Sequence, residues 1–252
     1  MDIGTVKRIV VINGKGGCGK TTVVTNLASS YAARGVGVAL FDYDPQGSAL
    51  QWLALRPDYL PGVRGVAAFD HGAANATRSW LLRTPPGVQR IIIDTPAGLK
   101  GQALTDQLRN ADVVIMPVLP STIDIAASAN FIKELLLVAR VRSFPCRLAL
   151  VANRVRQNTR ALESLKRFLK SLNIPVIGHI RDTQNYVLAA ERGVGVVEIR
   201  GRRLLADQQV WNRMVDWIEQ PQPGAAVDHD TGPSRAECAG SAQLSSQYTH
   251  SG

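Results

Sequence analysis

The sequence predicts a doubly wound α/β fold, in which a mostly parallel sheet carries helices on both faces. Short runs rich in β-branched residues alternate along the chain with longer segments of helical periodicity. Some of these runs, such as 9–12, 91–93 and 113–116, are apolar at every position. A strand without polar residues indicates burial on both faces, which a parallel sheet between two helical layers provides.

The predicted elements alternate between strands and helices from residue 7 onward. Each strand is predicted from its Val and Ile content, and each helix from apolar residues that recur three and four positions apart. The strands are 7–13, 36–42, 88–94, 111–117, 147–153 and 175–180, and the helices that follow the first five of them lie near 20–34, 48–55, 101–109, 122–141 and 158–172.

A last helix is predicted at about 202–218. It has one apolar stripe that includes Trp211, Met214 and Ile218, so we expect it to pack on the sheet. A helix that binds a membrane surface is the alternative interpretation. The three arginines of this helix are balanced by three acidic residues up to position 219, which leaves no excess positive charge for lipid headgroups.

The composition indicates one folded domain followed by a tail. Of the 252 residues, 45% are apolar and 19% are charged, which is typical of a globular protein. We assign residues 1–219 to the α/β domain and expect residues 220–252, which have few large apolar side chains, to be disordered. The sequence has no run of about 18 apolar residues and no signal-peptide pattern, so we expect a cytoplasmic protein. Its three cysteines are widely spaced, as expected for free thiols.

The positive charge of the chain is concentrated in one region. Residues 140–217 hold fifteen Lys and Arg against six Asp and Glu, which accounts for the whole net charge of +9. Aromatic residues are few among these cations, which favours phosphate contacts on duplex DNA over stacking on single strands. A solvated surface that keeps the protein soluble is the alternative. The candidate DNA-binding residues are Lys166, Arg167, Lys170, Arg181, Arg200, Arg202 and Arg203.

The strongest chemical signal is the sequence GKGGCGKTT at 14–22, which satisfies the pattern GxxxxGK[ST] between a predicted strand and a predicted helix. Such a loop turns successive backbone N–H groups toward a β-phosphate, and Lys20 adds a charge for the β- and γ-phosphates. The hydroxyl of Thr21 is placed to hold Mg²⁺. The predicted nucleotide-binding residues of the loop are Gly14, Lys15, Gly16, Gly17, Cys18, Gly19, Lys20, Thr21 and Thr22. Cys18 is expected only to fit there as a small side chain.

The loop carries a second lysine, Lys15, and for this reason resembles the deviant Walker A motif of the ParA/MinD superfamily of ATPases. The resemblance covers roughly residues 7–218 and implies the fold of a P-loop NTPase. It also implies that two subunits enclose two ATP molecules and that Lys15 reaches the partner's phosphates. The other segments that carry the resemblance are DYDPQGS at 42–48, IIIDTPAG at 91–98, IMPVLPST at 115–122 and VANRV at 151–155.

Three acidic residues complete the predicted site. Asp94 ends an apolar strand, as expected for a Walker B carboxylate that meets Mg²⁺, usually through water, at the carboxyl edge of a parallel sheet. Asp44 resembles the switch residue of the family, which orients or polarises the attacking water, and Asp42 is expected to support the Mg²⁺ shell. Since phosphoryl transfer depends on positioning and charge neutralisation, we expect Lys15, Lys20 and Asp44 to be the catalytic residues.

The pair Asn153 and Arg154 follows a predicted strand and resembles the adenine-facing pair of the family. An amide side chain can both donate to and accept from a purine edge, which favours ATP over GTP. An ordinary turn at the end of a strand explains these two residues nearly as well.

The leading functional hypothesis is a ParA-like positioning ATPase. By resemblance, an ATP-bound homodimer would bind nucleoid DNA without sequence preference and be released when a cargo-bound adaptor stimulates a slow ATPase. The cargo could be a plasmid, a chromosome origin, a chemoreceptor cluster or a carboxysome. The first strand begins by Lys7. We therefore expect this chain to resemble the smaller members of the family, which lack the N-terminal helix-turn-helix domain of the larger plasmid ParA proteins.

Other functions of the superfamily fit the sequence less well. A MinD-like membrane cycler needs a basic amphipathic C-terminal helix, which the polar segment 220–252 does not supply. A reductase that resembles the nitrogenase iron protein needs two cysteines per subunit near the dimer axis, and the positions of Cys18, Cys146 and Cys238 do not fit that need. Amidoligases that resemble dethiobiotin synthetase are a further alternative, but Lys15 and the DPQG stretch favour the positioning ATPases.

Overall fold

The centre of the fold is a seven-stranded parallel sheet, seen in a computed structural model that describes residues 6–69, 84–138 and 141–221. The strand order is β3-β2-β4-β1-β5-β6-β7, and every ladder between neighbours is parallel. The strands are β1 (Lys7–Val11), β2 (Val38–Asp42), β3 (Arg64–Ala67), β4 (Arg90–Asp94), β5 (Val113–Val118), β6 (Arg147–Val155) and β7 (Val176–Arg181). The central strands β2 and β5 are buried at every residue, which confirms the prediction of burial on both faces.

Helices cover both faces of this sheet. One face packs side chains such as Val10 against Leu104 of α3, Phe131 of α4 and Leu165 of α5, and the opposite face packs Leu27 and Trp211 from α1 and α7. The helices are α1 (Lys20–Ala33), α2 (Ser48–Ala54), α3 (Gly101–Leu108), α4 (Thr122–Lys133), α5 (Arg160–Ser171), α6 (Gln184–Glu191) and α7 (Leu205–Glu219). The doubly wound fold is therefore confirmed.

The structure differs from the sequence prediction at several elements. The helix predicted at 122–141 is α-helical only to Lys133 and continues as a π-helical segment, Glu134–Val138. The last helix begins at Leu205, after a 3₁₀ turn at Arg202–Leu204. The sequence analysis missed β3, because an edge strand of four residues with no buried side chain has no apolar run. It also missed α6, which is only eight residues long. The predicted tail lies outside the described residues from position 222 onward.

The apolar stripe of α7 packs on the sheet, as predicted. Trp211, Met214 and Ile218 are fully buried, and Gly178 of β7 makes room for Met214, since a Cβ atom at position 178 would lie 2.6 Å from the sulfur of Met214. The stripe is therefore not available to a membrane surface. No helix in the described part of the chain is long and apolar enough to cross a bilayer.

The C-terminal end of α7 is fixed at the amino edge of the sheet. The carboxylate of Glu219 accepts hydrogen bonds from Lys7 Nζ (3.1 Å), Tyr31 Oη (2.6 Å) and Arg90 Nε and Nη2 (2.9 and 2.7 Å). Burial raises the pKa of Glu219, but Arg90, Tyr31 and Lys7 outweigh burial and lower the pKa to about 2. Arg147, the first residue of β6, donates to the carbonyls of residues 217 and 220. These contacts join α7 to the first residues of β1, β4 and β6.

Candidate functional site

The loop between β1 and α1 has the geometry of a phosphate-binding loop. Gly17 and Gly19 have left-handed backbone angles (φ 72° and 93°), and α1 begins at Lys20. A Cβ atom at position 19 would lie 2.0 Å from the amide nitrogen of Asn153, so this position requires glycine for its space as well as for its conformation. The N-terminus of α1 has no side-chain cap, which leaves its first N–H groups free for an anion.

Two buried asparagines brace this loop from the neighbouring strands. Asn13 donates from Nδ2 to the carbonyl of Pro117 on β5 (2.7 Å) and accepts from the backbone N–H of Lys15 (3.0 Å). Asn153 of β6 donates from Nδ2 to the carbonyl of Cys18 (2.8 Å). The sequence analysis missed Asn13, although a lone polar residue directly after an apolar strand was an available signal.

The two lysines of the loop have different contacts. Lys20 is buried, and its ammonium lies 3.4 Å from the carbonyl oxygen of Lys15. The ammonium of Lys15 forms an ion pair with the carboxylate of Asp124 in α4 of the same chain. Sequence analysis did not single out Asp124. In the structure, Lys20 is therefore turned into the loop, whereas Lys15 is paired with a residue outside it.

Asp94, predicted to face a magnesium ion, has the environment of a metal-associated carboxylate. The hydroxyl of Thr21 donates to its Oδ2 (2.7 Å), while its Oδ1 is buried and has no hydrogen-bond partner in the described part of the chain. Burial raises the pKa of Asp94 to about 7, against the Thr21 hydrogen bond, which lowers it. A buried carboxylate oxygen without a partner fits a cation and its water shell.

No group of three or more His, Cys, Asp and Glu residues that could hold a metal occurs among the described residues. Mg²⁺ needs no such cluster, because it is commonly bound by one or two protein oxygens together with water and substrate phosphates. Thr21 and Asp94 therefore suit Mg²⁺ that arrives with a nucleotide.

Asp42 and Asp44 form the first part of the β2–α2 loop. Asp42 is fully buried, and its Oδ1 accepts from the N–H of Asp44 (3.0 Å). Its Oδ2 accepts from the N–H groups of Ala49 and Leu50 (3.0 and 3.3 Å). Asp42 was predicted to support the metal shell, whereas the structure shows it holding the backbone of the loop and of α2. Asp44 is half-buried, and its Oδ1 accepts from the N–H of Gln46 (3.0 Å).

This loop lies next to Asp94. Asp42 and Asp94 are register partners on the neighbouring strands β2 and β4, and the N–H of Tyr43 donates to the carbonyl of Asp94 (2.9 Å). The segment that follows Asp94 contacts the phosphate loop, because the N–H of Gly98 donates to the carbonyl of Gly14 (3.0 Å). The predicted phosphate loop, Walker B residue and switch loop are thus brought together at the carboxyl edge of the sheet.

Asn153, predicted to face adenine, contacts the phosphate loop in the structure and also lines a neighbouring cleft. Its Nδ2 and Oδ1 already contact the carbonyl of Cys18 and the N–H of Arg154, and the side chain is 2% exposed. Arg154 is exposed, with a left-handed backbone (φ 51°), and it lines a cleft of about 450 Å³. The cleft runs between the start of α1 at Thr22 and helix α6, an element that the sequence analysis did not find.

The predicted DNA-binding residues fall into separate groups. Arg200, Arg202 and Arg203 are exposed and line a cleft of about 460 Å³ together with Arg192, which the sequence analysis missed. None of these four arginines has an ion-pair partner among the described residues. The floor of the cleft includes apolar side chains such as Leu188.

The remaining predicted cations have other neighbours. Arg181, a predicted DNA contact, donates from Nε and Nη2 to both carboxylate oxygens of Asp207 (2.9 and 2.8 Å), so its charge has an acidic partner in the same chain. Lys166 pairs with Glu163 one turn earlier in α5 (2.9 Å). Lys166 and Lys170 line a different groove, beside the edge strand β7, and Arg167 contacts Ser164 on the same helix.

Comparisons with known proteins agree with this architecture. A family model described as the CobQ/CobB/MinD/ParA nucleotide binding domain matches residues 9–196. The protein named Maintenance of carboxysome distribution protein A from Gloeobacter kilaueensis is 30% identical over 216 residues, which cover 84% of this chain and 94% of that protein. The protein of the same name from Halothiobacillus neapolitanus is 31% identical over 212 residues, with coverage of 82% and 95%.

A solved structure of an ATP complex of McdA from Cyanothece matches the fold. Its TM-score is 0.65 at 15% sequence identity, and the match covers 87% of this chain and 99% of the other. At this identity the likeness supports the α/β architecture, and the motifs described above carry the chemistry.

Proposed function

Because the chain belongs to the CobQ/CobB/MinD/ParA nucleotide-binding family, we propose that it is a ParA-like positioning ATPase that distributes a cargo in the cell. The observation that carries the proposal is the meeting of three parts at one edge of the sheet. These are the phosphate loop, the Thr21–Asp94 pair with its unpartnered oxygen, and the loop that presents Asp44. ATP is the proposed substrate and Mg²⁺ the proposed cofactor.

Each residue of the site has a proposed task in hydrolysis. The N–H groups of residues 16–20 and the ammonium of Lys20 bind the phosphates, while Thr21 and Asp94 hold Mg²⁺. When bound, Mg²⁺ neutralises charge on the β- and γ-phosphates. Asp44 orients the attacking water. Asp42 keeps Asp44 in place through its hydrogen bond to the N–H of that residue.

The cleft beside Thr22 and Arg154 is the proposed site of the base. It lies next to the first turn of α1, so a nucleotide with its phosphates on the loop can reach it. Asn153 lines this cleft and also supports the phosphate loop, and together with Arg154 it is the proposed contact for the base.

Dimerisation and DNA binding are proposed as the outputs of ATP binding. Two subunits enclose two ATP molecules, and Lys15 of each subunit reaches the partner's phosphates. We place the DNA contact at Arg192, Arg200, Arg202 and Arg203, because these exposed cations line one cleft to which no acidic residue of the described chain contributes. Contacts of this kind bind phosphate without reading sequence. The protein is then a nucleoid-associated protein of the cytoplasm.

The proposed cargo is a protein assembly such as the carboxysome. Two relatives that carry this function in their names are 30% and 31% identical to more than four fifths of the chain. An adaptor protein bound to the cargo is the proposed partner, and it stimulates hydrolysis and so releases the dimer from DNA.

Light scattering tests the first step of this cycle. The purified chain is expected to be a monomer with ADP and a dimer with ATP and Mg²⁺. Lys15→Gln is expected to bind ATP but remain a monomer, because the lost ammonium acts on the partner's nucleotide. A Lys15→Gln variant that dimerises with ATP like the wild type refutes the proposed arrangement of subunits.

A further inference from the structure

The ammonium of Lys15 is held inside its own subunit, although the proposed function requires it at the nucleotide of a partner. It forms an ion pair with Asp124 Oδ1. The Lys15 side chain is 38% exposed and that of Asp124 is 11% exposed, so the pair lies at the surface with its acidic member mostly covered.

Asp124 is held by hydrogen bonds at the start of α4. Its N–H donates to the hydroxyl of Ser121 (3.1 Å), which caps α4, and that hydroxyl in turn donates to Asp124 Oδ2. Burial raises the pKa of Asp124, but the hydrogen bonds from Lys15 and Ser121 outweigh burial and hold the pKa below its usual range. Asp124 therefore keeps one hydrogen-bond partner when Lys15 leaves.

The backbone of Lys15 is fixed independently of this ion pair. Its N–H donates to Asn13, which is in turn anchored to the carbonyl of Pro117 on β5. Lys15 can therefore move its side chain without displacing the phosphate loop. Only the contact with Asp124 has to break.

We propose that Asp124 is a positioning residue that acts through Lys15, holding its ammonium in the free subunit and raising the threshold for ATP-dependent dimerisation. This inference rests on the proposed function, in which one ammonium must exchange the carboxylate for the partner's phosphates. A partly exposed ion pair changes an equilibrium by about fivefold. Two subunits open two such pairs, so the dimer is weakened by about twenty-five-fold relative to a chain without the pair.

The first test measures Lys15 in the nucleotide-free monomer and does not depend on dimerisation. The wild type, Asp124→Asn and Ser121→Ala are labelled briefly with an amine-reactive ester. Modification of Lys15 is then quantified by mass spectrometry relative to the exposed Lys133, which lies in α4 together with Asp124. Asp124→Asn is expected to increase the labelling of Lys15 about fivefold, because the ammonium is released. Ser121→Ala removes the helix cap but keeps the charge of Asp124, so it is expected to change the labelling less than twofold.

The second test measures dimerisation with the non-hydrolysable analogue AMPPNP and Mg²⁺. Asp124→Asn is expected to lower the dimer dissociation constant by about twenty-five-fold, while the affinity of the monomer for AMPPNP stays unchanged. The conservative variant Asp124→Glu keeps a carboxylate and is expected to stay closer to the wild type than Asp124→Asn does.

The outcomes separate this inference from the proposed function. Unchanged Lys15 labelling in Asp124→Asn overturns the inference whether or not the chain dimerises. Weaker dimers in Asp124→Asn also overturn it, since Asp124 would then assist Lys15 within the dimer. If no form of the chain dimerises with AMPPNP, the proposed function fails. If Asp124→Asn shows increased labelling of Lys15 but no dimer, the threshold role fails with it.

Discussion

Replacing Arg200, Arg202 and Arg203 with glutamine is expected to flatten the salt dependence of duplex binding by the ATP-bound protein. All three side chains are exposed around one cleft and none has an acidic partner in the described part of the chain. Each phosphate contact contributes about 0.9 to the slope of log affinity against log salt, through the counterions that it releases. Glutamine removes the charge and keeps a polar side chain of similar length.

The magnitude follows from the number of contacts. Three arginines in each of two subunits give a loss of about 5 in the slope if all of them touch phosphate. When the salt concentration rises fourfold, the affinity of the wild type then falls about a thousandfold more than the affinity of the variant. Biolayer interferometry on two duplexes of unrelated sequence, at several salt concentrations with ATP and Mg²⁺, measures both slopes.

Arg181 supplies the matched control. Its guanidinium is paired with the buried carboxylate of Asp207, so the double variant Arg181→Gln, Asp207→Asn removes a pair without leaving a buried charge alone. This control is expected to keep the wild-type slope within about 1. A slope that falls as much in the control as in the triple variant refutes the assignment of DNA contacts by unpaired charge. An unchanged slope in the triple variant refutes the assignment of the cleft itself.

Three further predictions concern the nucleotide site and the stability of the fold. Asp44→Ala is expected to bind ATP and dimerise but to lose most of its ATP turnover, and phosphate release that continues at the wild-type rate contradicts its role with water. Lys20→Ala is expected to lose ATP affinity in the monomer by at least tenfold in equilibrium dialysis, because the proposed role of Lys20 is to bind the phosphates of its own subunit; unchanged affinity contradicts this. Glu219→Gln is expected to lower the free energy of unfolding at pH 7 by about 2 kcal/mol, discounted for partial exposure. Because the pKa of Glu219 falls from 4.5 to about 2 on folding, urea titrations should show that the difference from wild type shrinks as the pH falls below about 4.5 and disappears near 2. A difference that is constant with pH rules out this origin.

Local patterns predicted the parts of the site that lie on one continuous stretch of chain. The phosphate loop, the strand that ends at Asp94 and the loop of Asp44 each carry their signal within about ten residues. The apolar strands indicated the doubly wound sheet for the same reason, because burial on both faces is written in the residues of the strand itself.

The contacts that escaped sequence analysis join residues far apart in the chain. Asp124 meets Lys15 across 109 positions, and Asn153 meets Cys18 across 135, so no local pattern reveals either partner. Arg181 could not be told from Arg200 by composition, because only the fold brings Asp207 to one of them. Helix α6 and edge strand β3 are short and have little periodicity to detect.

The junction at Glu219 also decides where a reporter can be attached without disturbing the chemistry. It gathers the first residues of β1, β4 and β6, whereas the phosphate loop, Asp94 and Asp44 follow the opposite ends of their strands. A fluorophore on a cysteine introduced at the exposed Gln220, whose side chain has no hydrogen bond within the described residues, would sit the full length of the strands away from the nucleotide site. Truncating the chain before Glu219 would instead remove contacts that join the end of α7 to three strands. A fusion protein intended for imaging should therefore keep α7 whole and begin its linker after Glu219.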